Sequence, residues 1–451
     1  MTACASSYSV SVMSTYSITL WDSIKYEILN VQEEDLAEEA LVSLQAIAIR
    51  LSHNLTTTDP KTHLARYFRP VTKEVNEQLQ EPQHKQAKPA GQILSHLATA
   101  SPIAYFLIVK AVMPPLMTLY QAAESIAKQR ALLEVLVQLF NAAILVQGPP
   151  TDPAFEMIGG NPLDAFRDRL FEISSQALMS TAKDEVSFRI VALKALLRLS
   201  SIRKYLSDGE IGMFVQYLDE IVLEEEHVRE DLQHEAVQAL VEISKMRAHL
   251  VMDITFPAFM SRLPDSSQPD KADYLVTLEG LAQLSVERSI SDTLVRRLLN
   301  KLDVVLQVGG SAAYPQAILS TLIYVLGRRD LPQDPNLSTY HEKLVVGLTT
   351  RAVLGSIGQA PATALNEAAT LEILGRLANI IVRALDDHQQ SSVAHHIYSL
   401  FNDENTFTLI PYSRDRPLPQ RRTMILSTFL MAAIRREVIP SSAICRCRSL
   451  D

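Results

Sequence analysis

Histidine and acidic residues that could bind a metal occur at three places in this chain. His234-Glu235 begins like the helical zinc-protease motif, in which a second histidine follows the first by four residues, but Gln238 occupies that position. The other groups are consecutive in sequence, so their side chains diverge around a helix and cannot converge on one ion. These groups are Asp386-Asp387-His388 and His395-His396.

Cysteine and glycine patterns give no stronger signal of chemistry. Cys445 and Cys447 could bind a soft metal or oxidise, but no further ligand lies nearby in the sequence. The glycine pairs at 159–160 and 309–310 lack the spacing that cradles phosphate, so they are interpreted as turns. We therefore expect that the chain is not an enzyme, needs no cofactor, and has no catalytic, cofactor-binding or metal-ligating residues.

A helical phrase that recurs about every forty to fifty residues organises the chain. Its copies include "AKPAGQILSHLATAS", "FRIVALKALLRLSSI" and "HEAVQALVEISKM". A HEAT or armadillo unit of two helices is about 40 to 47 residues long, and the longer steps need inserted loops. The sequence therefore predicts an all-α fold, an α-solenoid of HEAT/armadillo-like helix-pair repeats. One apolar anchor can be taken from each copy: Leu44, Leu94, Leu136, Leu196, Leu240, Leu281, Leu322, Leu374 and Leu426.

Proline positions support HEAT units over the shorter tetratricopeptide repeat. In the clearest units a helix with an internal proline, such as Pro114 or Pro257, precedes a helix rich in Ala and Leu. An internal proline removes a backbone donor and bends the helix. A first confident amphipathic helix is predicted at 33–52, with Leu36, Ala40, Leu44, Ile47, Ala48 and Leu51 on one stripe.

The predicted domain organisation has five parts. Residues 1–17 lack periodicity and are expected to be a disordered or unreliable start, with order beginning near Ile18. HEAT-like repeats are predicted at 18–147 and 163–437. A Pro/Gly-rich segment at 148–162 separates them as a hinge or protruding loop. Residues 438–451 are expected to be an unstructured tail, and the apolar helix before it indicates a truncated piece of a longer protein.

Composition and charge narrow the class of protein. A formal charge of −9 does not suit a protein whose main partner is a phosphate backbone. Eight arginines nevertheless lie between Arg414 and Arg448, and an acidic stretch runs from Asp219 to Asp231. Each could be a docking face or an ordinary solvated surface. The three cysteines lie at the chain ends, which indicates a reducing compartment, and charged or proline residues interrupt the two most apolar stretches, so no membrane contact is expected.

Several strings resemble a known family. They are "LWDSIKYEILNVQEEDLAEEALVSLQAIAIRLS", "QEPQHKQAKPAGQILSHLATASP" and "IAKQRALLEVLVQLFNAAI". They are similar to the middle and C-terminal HEAT region of fungal members of the MMS-nineteen/Met-eighteen family, from about Leu20 to Phe429. That family is the scaffold of the cytosolic iron-sulfur assembly targeting complex, long described as a DNA-repair and RNA polymerase II transcription regulator.

The resemblance implies a non-enzymatic adaptor in the nucleus and cytoplasm. It would bind targeting subunits, including a WD-repeat protein, and present apo iron-sulfur clients such as repair helicases and polymerases for cluster insertion. The alternative is a HEAT-repeat transport or transcription and repair adaptor, which could contact nucleic acid through the segment from Arg414 to Arg448. No partner-binding residue is fixed by a motif. Arg296, Arg297 and Lys301 on one predicted helix are candidate contacts, with a solvated face as the alternative.

Overall fold

The computed structural model describes residues 2–29, 33–81, 87–148, 155, 160–223, 230–265, 274–328, 337–356 and 364–402. Throughout this part of the chain the regular structure is helical. Two compact units are formed, Met1–Thr255 (unit 1) and Phe256–Asp451 (unit 2). The predicted boundaries around 148–162 do not coincide with this division, and the partition into five parts stays a prediction.

Unit 1 consists of helical hairpins in which the second helix of each hairpin packs on the second helix of the next. The hairpins are α2–α3, α4–α5, α6–α7, α8–α9 and α10–α11, and the second helices follow one another as α3, α5, α7, α9 and α11. The helices are α1 (Thr2–Ser7), α2 (Val10–Leu29), α3 (Glu34–Ser52), α4 (His63–Gln78), α5 (Ala87–Ala98), α6 (Pro102–Ala122), α7 (Ile126–Val146), α8 (Arg167–Met179), α9 (Val186–Ser201), α10 (Asp208–Leu223), α11 (Glu230–Met246) and α12 (Ala248–Leu250). A 3-10 turn at Asp164–Phe166 precedes α8, and a π-helix at Val251–Thr255 follows α12.

Unit 2 repeats the arrangement with more irregular first helices. α13 packs on α14 and α15 on α16, while α14, α16 and α18 stack on one another. The helices are α13 (Phe256–Arg262), α14 (Tyr274–Leu284), α15 (Arg288–Val308), α16 (Ala313–Gly327), α17 (Leu348–Ser356), α18 (Ala368–Val382) and α19 (Asp387–Asn402). 3-10 turns lie at Leu337–Tyr340 and Ala364–Asn366, and a π-helix lies at His341–Gly347.

The leucine anchors confirm the repeat. Eight of the nine lie on α3, α5, α7, α9, α11, α14, α16 and α18, which are the second helices of the hairpins, and each is at most 1% exposed. Leu426 lies outside the described residues. A recurring Leu at one position of each second helix fills the space between the two helices of a hairpin and the neighbouring hairpin, and this burial is the main stabilising contribution. The predicted fold class is therefore confirmed.

Capping residues and prolines fix where the helices begin and bend. The backbone N–H groups of Ala65 and Ala104 donate to the hydroxyls of Thr62 and Ser101, the residues that precede α4 and α6. Prolines lie inside two first helices, at Pro70 in α4 and at Pro114 and Pro115 in α6, as the sequence predicts for HEAT units. Pro257 follows the π-helix, and its missing N–H leaves the carbonyl four residues earlier without its usual donor.

The expected disordered start at 1–17 is wrong. α2 begins at Val10, and Met13 and Ser17 are buried with Trp21 on its inner face. The spacing of four residues places these small and apolar side chains on one stripe that packs against α3, and serine in between does not prevent this. On α3, Leu36 is also a correction, because it is 43% exposed while the rest of the predicted stripe is buried.

Two helices, α6 and α7, are long and apolar enough to cross a membrane by length and composition alone. About half of each apolar window, 56% in α6 and 44% in α7, is buried within unit 1. Both helices pack on neighbouring hairpins, since α6 contacts α4 and α7 lies between α5 and α9. Their apolar character is thus used for packing between repeats.

Candidate interaction surface

Polar contacts between consecutive second helices form a ladder across unit 1. The side-chain amide of Gln45 donates to Thr99 Oγ1 at 2.9 Å between α3 and α5, and Arg130 donates to Ser187 Oγ at 3.0 Å between α7 and α9. Partners in these contacts are 54 and 57 residues apart, so each joins neighbouring repeats. The ladder holds the exposed side of the second-helix layer in a fixed register.

The cations at the α9 step of this ladder are paired with carboxylates. Lys194 Nζ lies 3.1 Å from Glu235, and Arg198 Nη1 lies 3.4 Å from Glu242, both on α11. Binding to a nucleic-acid backbone depends on lysine and arginine that are available to neutralise phosphates. This step of the layer is therefore better suited to protein contacts than to phosphate contacts.

The residues singled out for metal chemistry have other surroundings in the structure. Glu235 pairs with Lys194, as above, and His234 beside it is exposed. Asp386 accepts a hydrogen bond from the backbone N–H of Gln389 at 2.7 Å, which caps the start of α19, and His396 Nε2 lies 3.2 Å from Thr350 Oγ1. In the described ranges no group of three or more His, Cys, Asp or Glu side chains is placed to hold a metal ion. Cys445 and Cys447 lie outside those ranges.

The charged surfaces predicted from sequence are only partly described. The arginine-rich segment from Arg414 to Arg448 and the predicted final helix lie outside the described residues, as do residues 224–229 of the acidic stretch and most of the loop at 148–162. On α15, Arg296 and Arg297 are exposed, as expected for candidate contacts. Lys301 instead turns back to the preceding repeat, where its ammonium group donates to the Leu263 carbonyl at 2.9 Å and pairs with Asp265.

Asp219 is a functional candidate that the sequence pattern assigned wrongly, because it was counted with the solvated acidic stretch. It is 6% exposed, and neither carboxylate oxygen has a hydrogen-bond partner in the described structure. Burial raises the pKa of Asp219 to about 7, because the charged form loses its hydration. The hydroxyl of Thr255, at the end of the π-helix, lies close enough to oppose this rise but forms no hydrogen bond of acceptable geometry. Periodicity in α10 could have revealed this, since Val215, Leu218 and Val222 share its buried face.

A groove lies between the second helices α14 and α16 of unit 2. Its volume is about 520 Å³, and its walls combine apolar and polar side chains. Tyr274 and Tyr314 pack with ring centroids 4.6 Å apart and join the two helices near their N-terminal ends. Sequence reasoning missed this groove, although the exposed apolar residues of α14 were a possible signal. The lining residues are Leu275, Leu278, Glu279, Ala282, Gln283, Ala317, Ser320, Thr321 and Tyr324.

Stacked helical hairpins with an inter-repeat ladder and an open groove define a class, namely a HEAT-like α-solenoid repeat protein, which binds partners along its helix layers. Comparison with known sequences then identifies the family. The family described as RNAPII transcription regulator C-terminal, MMS19_C, matches residues 277–448. The chain belongs to the MMS-nineteen/Met-eighteen family of DNA repair and transcription proteins.

Individual relatives show how much of the family's length the chain represents. The DNA repair/transcription protein mms19 of Schizosaccharomyces pombe is 24% identical over 73% of this chain and 32% of its own length. The human MMS19 nucleotide excision repair protein homolog is 22% identical over 97% of this chain and 44% of its own length. The chain therefore spans less than half the length of these relatives. Among solved structures, importin beta aligns at 14% identity with a TM-score of 0.41, over 93% of this chain and 48% of that one.

Proposed function

We propose that the chain acts as a non-enzymatic scaffold of the cytosolic iron-sulfur protein assembly targeting complex. It would present apo-proteins of DNA repair, replication and transcription for cluster insertion. Its partners would be proteins, namely targeting subunits that include a WD-repeat protein and clients such as repair helicases and polymerases, with no direct nucleic acid and no membrane. The relatives' names, which refer to DNA repair and transcription, agree with clients of this kind.

The structural observation that carries the proposal is the continuous second-helix layer. Contacts such as those of Lys194 with Glu235 and Gln45 with Thr99 fix neighbouring repeats in register, so partner-binding side chains on several repeats are held in place before binding. A preorganised surface loses less conformational entropy when a partner binds, which favours a scaffold. A scaffold that passes on proteins rather than clusters needs no metal ligands of its own.

A second candidate is a transport or transcription and repair adaptor that contacts nucleic acid. The arginine-rich segment from Arg414 to Arg448 favours it, because clustered arginines neutralise phosphates. The pairing of Lys194 and Arg198 with carboxylates weighs against a nucleic-acid surface on α9 and α11. We propose a nuclear role in both cases, and a cytoplasmic one for the scaffold.

Affinity purification of the tagged chain from cell extract, followed by mass spectrometry with and without nuclease, tests the proposal. The scaffold role predicts that iron-sulfur targeting subunits are recovered and survive nuclease treatment. An unrelated helical repeat protein with the same tag is the control. Recovery of nucleic acid with proteins that nuclease removes would support the second candidate. Failure to recover the targeting subunits with a folded, monodisperse chain would contradict the scaffold role.

A further inference from the structure

The groove between α14 and α16 exposes an unusual amount of apolar surface for a position between two packed helices. Leu275 is 50% exposed and Tyr324 is 48% exposed, and these two side chains belong to opposite walls. Leu278 and Ala282 are buried and form the apolar floor beside them. A volume of about 520 Å³ can accommodate several side chains, and such clefts with a few polar groups are typical binding sites.

The groove also lacks the ion pair that joins second helices elsewhere. Charges on this layer pair with each other on α9 and α11, and Arg376 pairs with Glu372 within α18. Glu279, which lines the groove, has no cationic partner in the described part of the chain and accepts a hydrogen bond only from Gln283 Nε2 at 3.3 Å. Arg328 has no carboxylate partner there either.

Arg328 is held at the end of the groove by Tyr324. Its Nη1 donates to the Tyr324 hydroxyl at 3.2 Å, and its guanidinium carbon lies 5.2 Å from the centre of the ring. A guanidinium over an aromatic face keeps its charge and is fixed in direction. The groove thus presents one carboxylate on its wall and one positioned guanidinium one helical turn beyond Tyr324.

We propose that this groove binds a linear segment of a partner protein in which an apolar side chain is flanked by a basic and an acidic residue. The apolar side chain enters between Leu275 and Tyr324, the basic residue pairs with Glu279, and the acidic residue pairs with Arg328. This deepens the proposed function and rests on it in one respect, that the chain works by binding proteins.

Charge complementarity separates this occupant from other ligands. A nucleic-acid strand would place phosphates beside Glu279, and like charges at close range cost free energy. A small apolar molecule would leave the two charges unused and would remain open to solvent on one side. An apolar anchor with flanking charges of both signs satisfies every group that the groove exposes, in the manner of grooves that read anchor residues of peptides.

A phage-displayed library of short random peptides, panned against the chain and counter-selected on the Tyr324→Ala variant, tests the proposal. Enriched peptides should carry an apolar residue between a basic and an acidic one. Their affinity, measured by fluorescence anisotropy, should fall about tenfold or more for Tyr324→Ala, which corresponds to about 1.4 kcal/mol. Val304→Ala, an exposed change on α15, is the matched control and should leave the affinity unchanged.

The double variant Glu279→Arg with Arg328→Glu should select peptides in which the order of the two charges is reversed. All substituted residues are exposed, so circular dichroism is expected to show unchanged folding. Failure to enrich any peptide, peptides indifferent to Tyr324, or charges that do not follow the reversal would each overturn the proposal. The purification of targeting subunits reads out the scaffold role separately, because it does not depend on this groove being occupied.

Discussion

Arg189 and Gln233 hold equivalent positions in consecutive hairpins and make the same hydrogen bond. Arg189 Nε donates to the Leu178 carbonyl at 2.9 Å, and Gln233 Nε2 donates to the Val222 carbonyl at 3.2 Å. Each acceptor lies 11 residues before its donor. In both hairpins the second helix therefore satisfies a carbonyl that the C-terminal end of the first helix leaves free. This contact sets the register of the two helices within a hairpin.

Replacing Arg189 by Met should destabilise unit 1. The side chain is 2% exposed, so its removal leaves the buried Leu178 carbonyl without a donor, at a cost of about 1–3 kcal/mol. Urea denaturation of the chain measures the change in the free energy of unfolding. Arg296→Met on the exposed side of α15 is the control and should change stability by about 0.5 kcal/mol or less. Equal effects of the two variants would show that the carbonyl contact is unimportant.

Stability should depend on pH through Asp219. Its pKa is about 7 in the folded chain and about 3.9 when unfolded, so the folded state binds more protons between these values. The contribution is fully present below the unfolded pKa and is lost as pH rises through 7, at about 1.4 kcal/mol per pH unit within the window. Denaturation at pH 5.5 and pH 8 measures it. Asp219→Asn should remove this part of the pH dependence and stabilise the chain at pH 8; an unchanged slope would contradict the assignment.

Gly280 permits the close approach of α13 and α14. A Cβ added there would lie 2.6 Å from Cε1 of Phe259, which is fully buried and cannot move freely. Gly280→Ala should therefore destabilise unit 2 by about 1–3 kcal/mol, despite the better helix propensity of alanine. Hydrogen exchange of α14 amides reads the local effect. The same change in a Phe259→Leu background should cost less, because space is then available, and an equal cost would exclude the clash as the cause.

The pair Arg198 and Glu242 tests how much the inter-repeat ladder contributes to stability. Their side chains are 35% and 46% exposed, so solvent screens the attraction. A double-mutant cycle with alanine at both positions should give a coupling of about 0.2–1 kcal/mol, and raising the salt concentration should reduce it. A coupling well above this range, or one indifferent to salt, would mean that the pair acts as a buried ion pair.

The repeat could be predicted from the sequence because it depends on local periodicity. Leu44, Leu196 and Leu374 recur at helical spacing, and every such leucine in the described chain is buried in a second helix. The first helices were harder to predict, as the start of α2 shows. Ser and Thr are weak helix formers, and only packing against α3 decides that residues 10–17 are helical.

The tertiary structure alone decided which charged residues are used and how. Asp219 and Glu220 are neighbours in an acidic stretch, but the turn of α10 buries the first and exposes the second. Lys301 and Arg297 share α15, yet one pairs with the preceding repeat and the other faces solvent. Local spacing determines which face of a helix is apolar, whereas the partner of each charge depends on contacts between residues about 40 to 57 positions apart, which no local pattern encodes.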